Sequence, residues 1–193
     1  RKTKIYYYII MKHFEVISKI DNMIYLSGLD VILNNPNFLL MEGIKNILVC
    51  IDKDTIELIY PKYEYLFSEL NILFIPMYDN TSQNLWKKNK GSIFTNSTTP
   101  SIYLGKSYIE IAYNFIENAV SRNEKVLVHC YAGMSRSASI LVYYFMKKNG
   151  IDYYSSKKYI KSKRPIIEPN DFFAQQLKEY DIFRDTYHKL KLR

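Results

Sequence analysis

Residues 126–146 read VLVHCYAGMSRSASILVYYFM. An apolar, strand-like run passes into a turn containing glycine and serine, and then into a run of helical character. Five residues separate Cys130 from Arg136, near which the helix is expected to begin. Such a turn aims successive backbone N–H groups, and the positive end of the helix, at one concave point. That is an anion cradle. A thiol at its floor is drawn toward thiolate, below the free value of about 8.5, which makes Cys130 a nucleophile at neutral pH. Arg136 adds a planar fork that grips two phosphate oxygens at once, which Lys cannot do.

Outward from this segment, the pattern alternates. On the N-terminal side, MIYLSGLDVI reads as a strand and turn, NPNFLLMEG as a short helix ending at Gly43, and KNILVCI as a buried strand. YPKYEYLFSEL then reads as a helix, NILFIPMYD as a strand entering a loop, LGKSYIEIAYNFIENAVS as a helix and EKVLVHC as the next strand. Alternation of this kind implies an α/β fold: a mostly parallel central sheet flanked by helices, with right-handed crossovers. Sites in such sheets open at the carboxyl ends of strands, where Cys130 lies.

The chain has 193 residues and 48% hydrophobic content, enough for one substantial core and too short for two full domains. Residues 1–19 read as an N-terminal extension and 20–193 as the domain. NTSQNLWKKNKGSIFTNSTTPSIY, at about 80–103, reads as a long polar surface loop inserted in the domain, either shaping the site entrance or inert. The net charge of +8 fits an anionic partner, but KKNK (87–90), KKYIKSKR (157–164) and the tail HKLKLR read first as solvated surface. Cys50 and Cys130 stand eighty positions apart, which is neither a disulfide framework nor a zinc spacing, so an intracellular, reducing setting (cytoplasm or nucleus) is expected. The opening RKTKIYYYIIMKHF lacks a cleavage site and a run of about 20 apolar residues, so neither secretion nor a membrane span is expected.

The segment HCYAGMSRS resembles the H-C-x-x-G-x-x-R-S signature of cysteine-dependent protein tyrosine phosphatases, and its Ala-Gly-x-Ser-Arg-Ser form resembles the dual-specificity branch. IYLSGLDVI, FIPMYDN and RPIIEPNDFFAQQLKEY are similar to that branch's early strand, general-acid loop and closing helices, so the resemblance runs from about Ile20 to Tyr180. It implies that Cys130 attacks phosphorus and forms a phosphocysteine. Arg136 and the amides of Tyr131, Ala132, Gly133, Met134, Ser135 and Arg136 would bind the oxygens. Ser137 would assist loss of the sulfur, and His129 would brace the loop. Asp79 would serve as general acid and then as base, roles worth on the order of 10²–10⁴ each. No cofactor or metal is implied.

Each residue also has a plainer reading. A cysteine at a strand end is ordinarily a small buried hydrophobe, and only the strand, glycine, serines and helix together favour catalysis. Asp79-Asn80 also suits an ordinary turn, with Asp52, Asp54 and Glu57 as fallback acids on another predicted loop. Asn170 reads as a helix cap. Tyr131 and Met134 replace the two lysines of phosphoinositide phosphatases, and no Trp-Pro-Asp precedes the site. The expected substrate is therefore a phosphorylated protein, entering a shallow pocket that accepts phosphotyrosine, phosphoserine and phosphothreonine. An RNA 5′-phosphatase, not favoured, and a phosphate-binding pseudophosphatase are the alternatives; a monomer is presumed. Cys50 ends its strand as Cys130 does, which makes it a candidate redox partner if the two Cα atoms approach within about 7 Å.

Overall fold

The computed structural model of the chain describes residues 16–96 and 100–191. Their strands form one six-stranded sheet. In chain order these are β1 (Ser18–Lys19), β2 (Ile24–Ser27), β3 (Ile44–Val49), β4 (Asn71–Phe74), β5 (Phe94–Thr95) and β6 (Lys125–His129). Across the sheet the order is β1-β2-β6-β3-β4-β5. The four central strands are parallel, and β1 and β5 close the two edges antiparallel. β6 lies between β2 and β3, so both its faces and both its edges are covered, and its apolar residues Val126, Leu127 and Val128 are fully buried.

The helices are α1 (Leu29–Asn34), α2 (Asn37–Met41), α3 (Lys53–Phe67), α4 (Tyr108–Ser121), α5 (Arg136–Asn149), α6 (Tyr153–Lys163) and α7 (Asp171–Lys191), with a 3₁₀ turn at Pro100–Tyr103. α5 is buried along its first eleven residues, Arg136 to Met146, because α4, α6, α7 and β6 all pack on it. It ends at Lys147 and Lys148 and at Gly150, whose φ of +65° suits glycine at a helix terminus. Among the described residues, no helix is long and apolar enough to cross a membrane.

Four expectations need correction. MIYLSGLDVI, read as a strand and turn, is β2 followed at LDVI by the start of α1. The acidic residues after β3 lie not on a loop but at the start of α3: Asp52 caps it by accepting from Thr55 N (2.9 Å), while Asp54 and Glu57 are exposed on the helix. The polar stretch after Asp79 is not a free surface loop, because Leu85 and Ile93 enter the core and Phe94–Thr95 extends the sheet. Its asparagines replace missing backbone partners: buried Asn89 accepts from Gly91 N and Ser92 N, and Asn96 bonds Ile72 N and Leu70 O. Finally, KKYIKSKR forms the C-terminal part of α6 and its C-cap, and Arg164 within it is fully buried. The sheet itself begins at Ser18, two residues before the sequence-drawn domain boundary.

Candidate active site

β6 ends at His129 and delivers Cys130 to the carboxyl edge of the sheet, where the chain turns through residues 131–135 into α5. The turn can only close over glycine at one point. Gly133 has φ +67°, and a Cβ there would lie 2.4 Å from the Ser27 carbonyl group. β2 thus runs directly beneath the loop, and Leu29 N donates to Tyr131 O (2.9 Å).

The loop's carbonyls are drawn outward one by one. Arg164 donates from Nε to Gly133 O (2.9 Å) and from Nη2 to Ala132 O (3.2 Å). Glu168 N donates to Met134 O (3.0 Å), and Ser139 donates to Ser135 O. Because each peptide is planar, carbonyls held outward leave the amide N–H groups facing the concave side. Gly133 N accordingly donates to Cys130 Sγ (3.2 Å). Arg164 also holds Val16 O and Ser18 Oγ, and burial lowers its pKa only to about 10, so it stays charged at neutral pH.

Ser137 Oγ, on the first turn of α5, donates to Cys130 Sγ (3.1 Å). Burial pushes the Cys130 thiol up, but the Arg136 charge and the hydrogen bonds from Ser137 and Gly133 more than offset it, leaving the thiol below its ordinary value. His129 Nδ1 faces Cys130 O (3.2 Å), and a carbonyl can only accept, so Nδ1 carries the proton and Nε2 accepts from Tyr63 OH (2.7 Å). Burial holds its pKa down to about 4, so the ring braces the loop as a neutral group.

Arg136 is almost fully buried. It donates from Nη1 to Met77 O (3.2 Å), with Asp52 Oδ2 at 3.6 Å from the same nitrogen. Its Nε is buried with no hydrogen-bond partner, and Asp79 Oδ2 lies 3.9 Å away. Burial works against the charge of Asp52, but hydrogen bonds from Thr55 and the nearby Arg136 leave its pKa below the ordinary carboxylate value. Asp79 is anchored through its other oxygen, which accepts from Ser135 Oγ (2.6 Å) and from Asn170 Nδ2 (2.7 Å).

The structure therefore brings Cys130, Ser137, Gly133, Ser135, Arg136, His129 and Asp79 together. Tyr131 stands exposed on the rim, and Met134 is half-buried. Cys50 lies beside the site, since Val49 pairs with His129 and Cys50 N donates to His129 O (2.9 Å). Burial, and then the neighbouring Cys130, push its pKa well up, so it remains a thiol. Asp54 and Glu57 stay outside, Glu57 pairing with Lys53. Three contributions come from the structure alone: Asp52 beside Arg136, Asn170 beside Asp79, and Arg164 as the holder of the loop. An arginine standing between lysines and a proline was the one signal for the last.

Comparison with known proteins agrees with this geometry. Residues 36–183 match the family described as dual specificity phosphatase, catalytic domain. A protein of Acanthamoeba polyphaga mimivirus assigned as a tyrosine-protein phosphatase, R622, is 38% identical over 183 residues, covering 89% of this chain and 86% of the relative. A second, AMV078 of Amsacta moorei entomopoxvirus, with the same assignment, is 37% identical and covers 88% of each chain. Among solved structures, the human tyrosine phosphatase-like serine/threonine/tyrosine-interacting protein shares the fold, with a TM-score of 0.65 at 22% identity, over 87% of this chain and 97% of its own.

Proposed function

We infer how this chain works from what it is: it belongs to the dual-specificity phosphatase family, and it is a protein phosphatase. The reaction we assign to the site runs in two displacements. The Cys130 thiolate attacks phosphorus, the P–O bond to the substrate breaks, and Asp79 protonates the departing oxygen. Water then attacks the phosphocysteine while Asp79 takes its proton. The P–S bond breaks, the electron pair returns to sulfur steadied by Ser137 Oγ, and inorganic phosphate leaves.

The observation that carries this reading is the buried Arg136 Nε, which has no hydrogen-bond partner beside a turn whose Gly133 amide faces a lowered-pKa thiol. A buried donor without a partner is costly, and a phosphoryl oxygen satisfies it. The amides of residues 131–136 take the remaining oxygens. We assign phosphorylated tyrosine, serine and threonine of proteins as substrates, a monomer as the working form, and a reducing intracellular setting that suits the two free thiols. The test compares phosphate release from phosphopeptides with release from 5′-triphosphorylated RNA. Faster turnover of the peptides is expected, and preference for the RNA would replace the substrate assignment.

Cys50 is assigned as redox partner of the same site. Neighbouring strands run about 4.7–4.9 Å apart, and Cys50 and Cys130 each directly follow the last paired residues of β3 and β6, Val49 and His129, which supports an approach of the two sulfurs. Peroxide oxidises Cys130 to the sulfenic acid; the Cys50 thiol attacks its sulfur as the thiol proton passes to the departing hydroxyl, the S–O bond breaks, a disulfide forms and water leaves, and dithiothreitol reverses the bond. Peroxide followed by dithiothreitol should restore wild type fully and Cys50→Ser poorly. Equal recovery reduces Cys50 to packing.

A further inference from the structure

Asn170 sits where three parts of the site meet. Its backbone N donates to Ser135 Oγ (3.1 Å) on the phosphate loop, and its Oδ1 accepts from Phe173 N (2.8 Å) in the first turn of α7. That second bond fixes the amide's orientation, because Phe173 N can only donate; the Nδ2 group must therefore face Asp79 Oδ1, at 2.7 Å. Ser135 Oγ donates to the same oxygen (2.6 Å). Asp79 Oδ1 thus receives two donors, neither of which can accept a proton from it in this arrangement. Oδ2 faces Arg136 Nε instead, 3.9 Å away.

We propose that Asn170 is a positioning residue that decides which oxygen of Asp79 carries the transferable proton: Oδ1 is held as a pure acceptor, and the proton resides on Oδ2, on the Arg136 side. The proposal rests on the assignment of Asp79 as general acid. It also explains why one asparagine serves two neighbours at once. A helix cap alone needs only the Oδ1 acceptor, which Asp, Ser or Thr supplies equally well. Only an amide presents a donor on its other arm. The groups facing Asp79 are Ser135 from the loop, Arg136 from α5 and Asn170 ahead of α7. Asp52 reaches the far side of the same guanidinium, and Asp171 follows Asn170 at the helix start.

The asparagine-to-aspartate exchange separates the two roles. Asn170→Asp keeps the cap, since a carboxylate accepts from Phe173 N and is favoured at a helix N-terminus. It removes the donor to Asp79 and sets a like charge against it, which favours the protonated acid. The basic limb of the pH profile of kcat/KM on a phosphotyrosine peptide should move upward by about one unit, with the thermal midpoint retained. Asn170→Ala should lower kcat on the peptide about tenfold and leave an activated aryl phosphate, which needs no proton, within about twofold.

Asp79→Asn is measured alongside. If it abolishes the basic limb while Asn170→Asp leaves that limb at the wild-type pH, the inference about Asn170 is overturned and the acid assignment stands. If neither variant alters the limb, both fall.

Discussion

Asp52 Oδ2 and Arg136 Nη1 face one another at 3.6 Å, while the other oxygen of Asp52 caps α3. One carboxylate therefore ties the start of a helix to Arg136, the arginine we propose binds phosphate. Asp52→Asn keeps the cap, because asparagine accepts from Thr55 N as well as aspartate does, and removes only the charge. We expect KM for phosphopeptides to rise roughly fivefold, the scale of about 1 kcal/mol for a partly exposed pair. Dependence on the leaving group should stay at the wild-type value. A lowered KM would mean that Asp52 acts on the phosphate as a like charge, and a steeper dependence on the leaving group would make it the acid.

Arg164 offers a sterner test of how the loop at residues 131–135, proposed to hold phosphate, is shaped. Its guanidinium reaches Gly133 O, Ala132 O, Val16 O and Ser18 Oγ from a fully buried position, and the single ammonium of Lys cannot span the two loop carbonyls. Arg164→Lys should cost on the order of 3 kcal/mol in urea denaturation, the expense of buried acceptors left without donors. Inhibition by vanadate should weaken in the refolded, native fraction. Lost stability with unchanged vanadate affinity would show that Arg164 supports the fold alone.

Much of the site was legible because its chemistry is local. Cys130, Gly133, Arg136 and Ser137 lie within eight residues, and the apolar run of β6 places them at a strand end. What was not legible depends on distant partners. Arg164 looks like one more surface lysine equivalent until the loop 31 residues before it supplies carbonyls. Asn170 was readable as a cap, but its second arm meets Asp79 from 91 residues away. The stretch after Asp79 misled for another reason: its polar amides satisfy backbone groups within a folded extension, whereas composition equates such residues with solvent-facing loops.

The brace under the loop carries a pH signature. The buried His129 has its pKa lowered to about 4, against an ordinary 6.5, so the folded state binds fewer protons than the unfolded chain between those values. Its contribution is complete above pH 6.5 and is lost as pH falls toward 4, amounting to about 3 kcal/mol across that window. The urea midpoint of wild type should therefore decline between pH 6.5 and 4 more steeply than that of His129→Gln. Parallel curves would mean that the imidazole is protonated in the folded protein.

The central claim is that the sulfur of Cys130 takes the phosphoryl group from the substrate, and the most direct measurement is to find it there. Wild-type protein mixed with a radiolabelled phosphotyrosine peptide and quenched by denaturant within milliseconds should carry label on the peptide containing Cys130. Cys130→Ser should carry none and turn over at under a few per cent of the wild-type rate, while still binding the phosphopeptide through Arg136 and the loop amides. Label on any other residue, or substantial turnover by Cys130→Ser, would contradict the account.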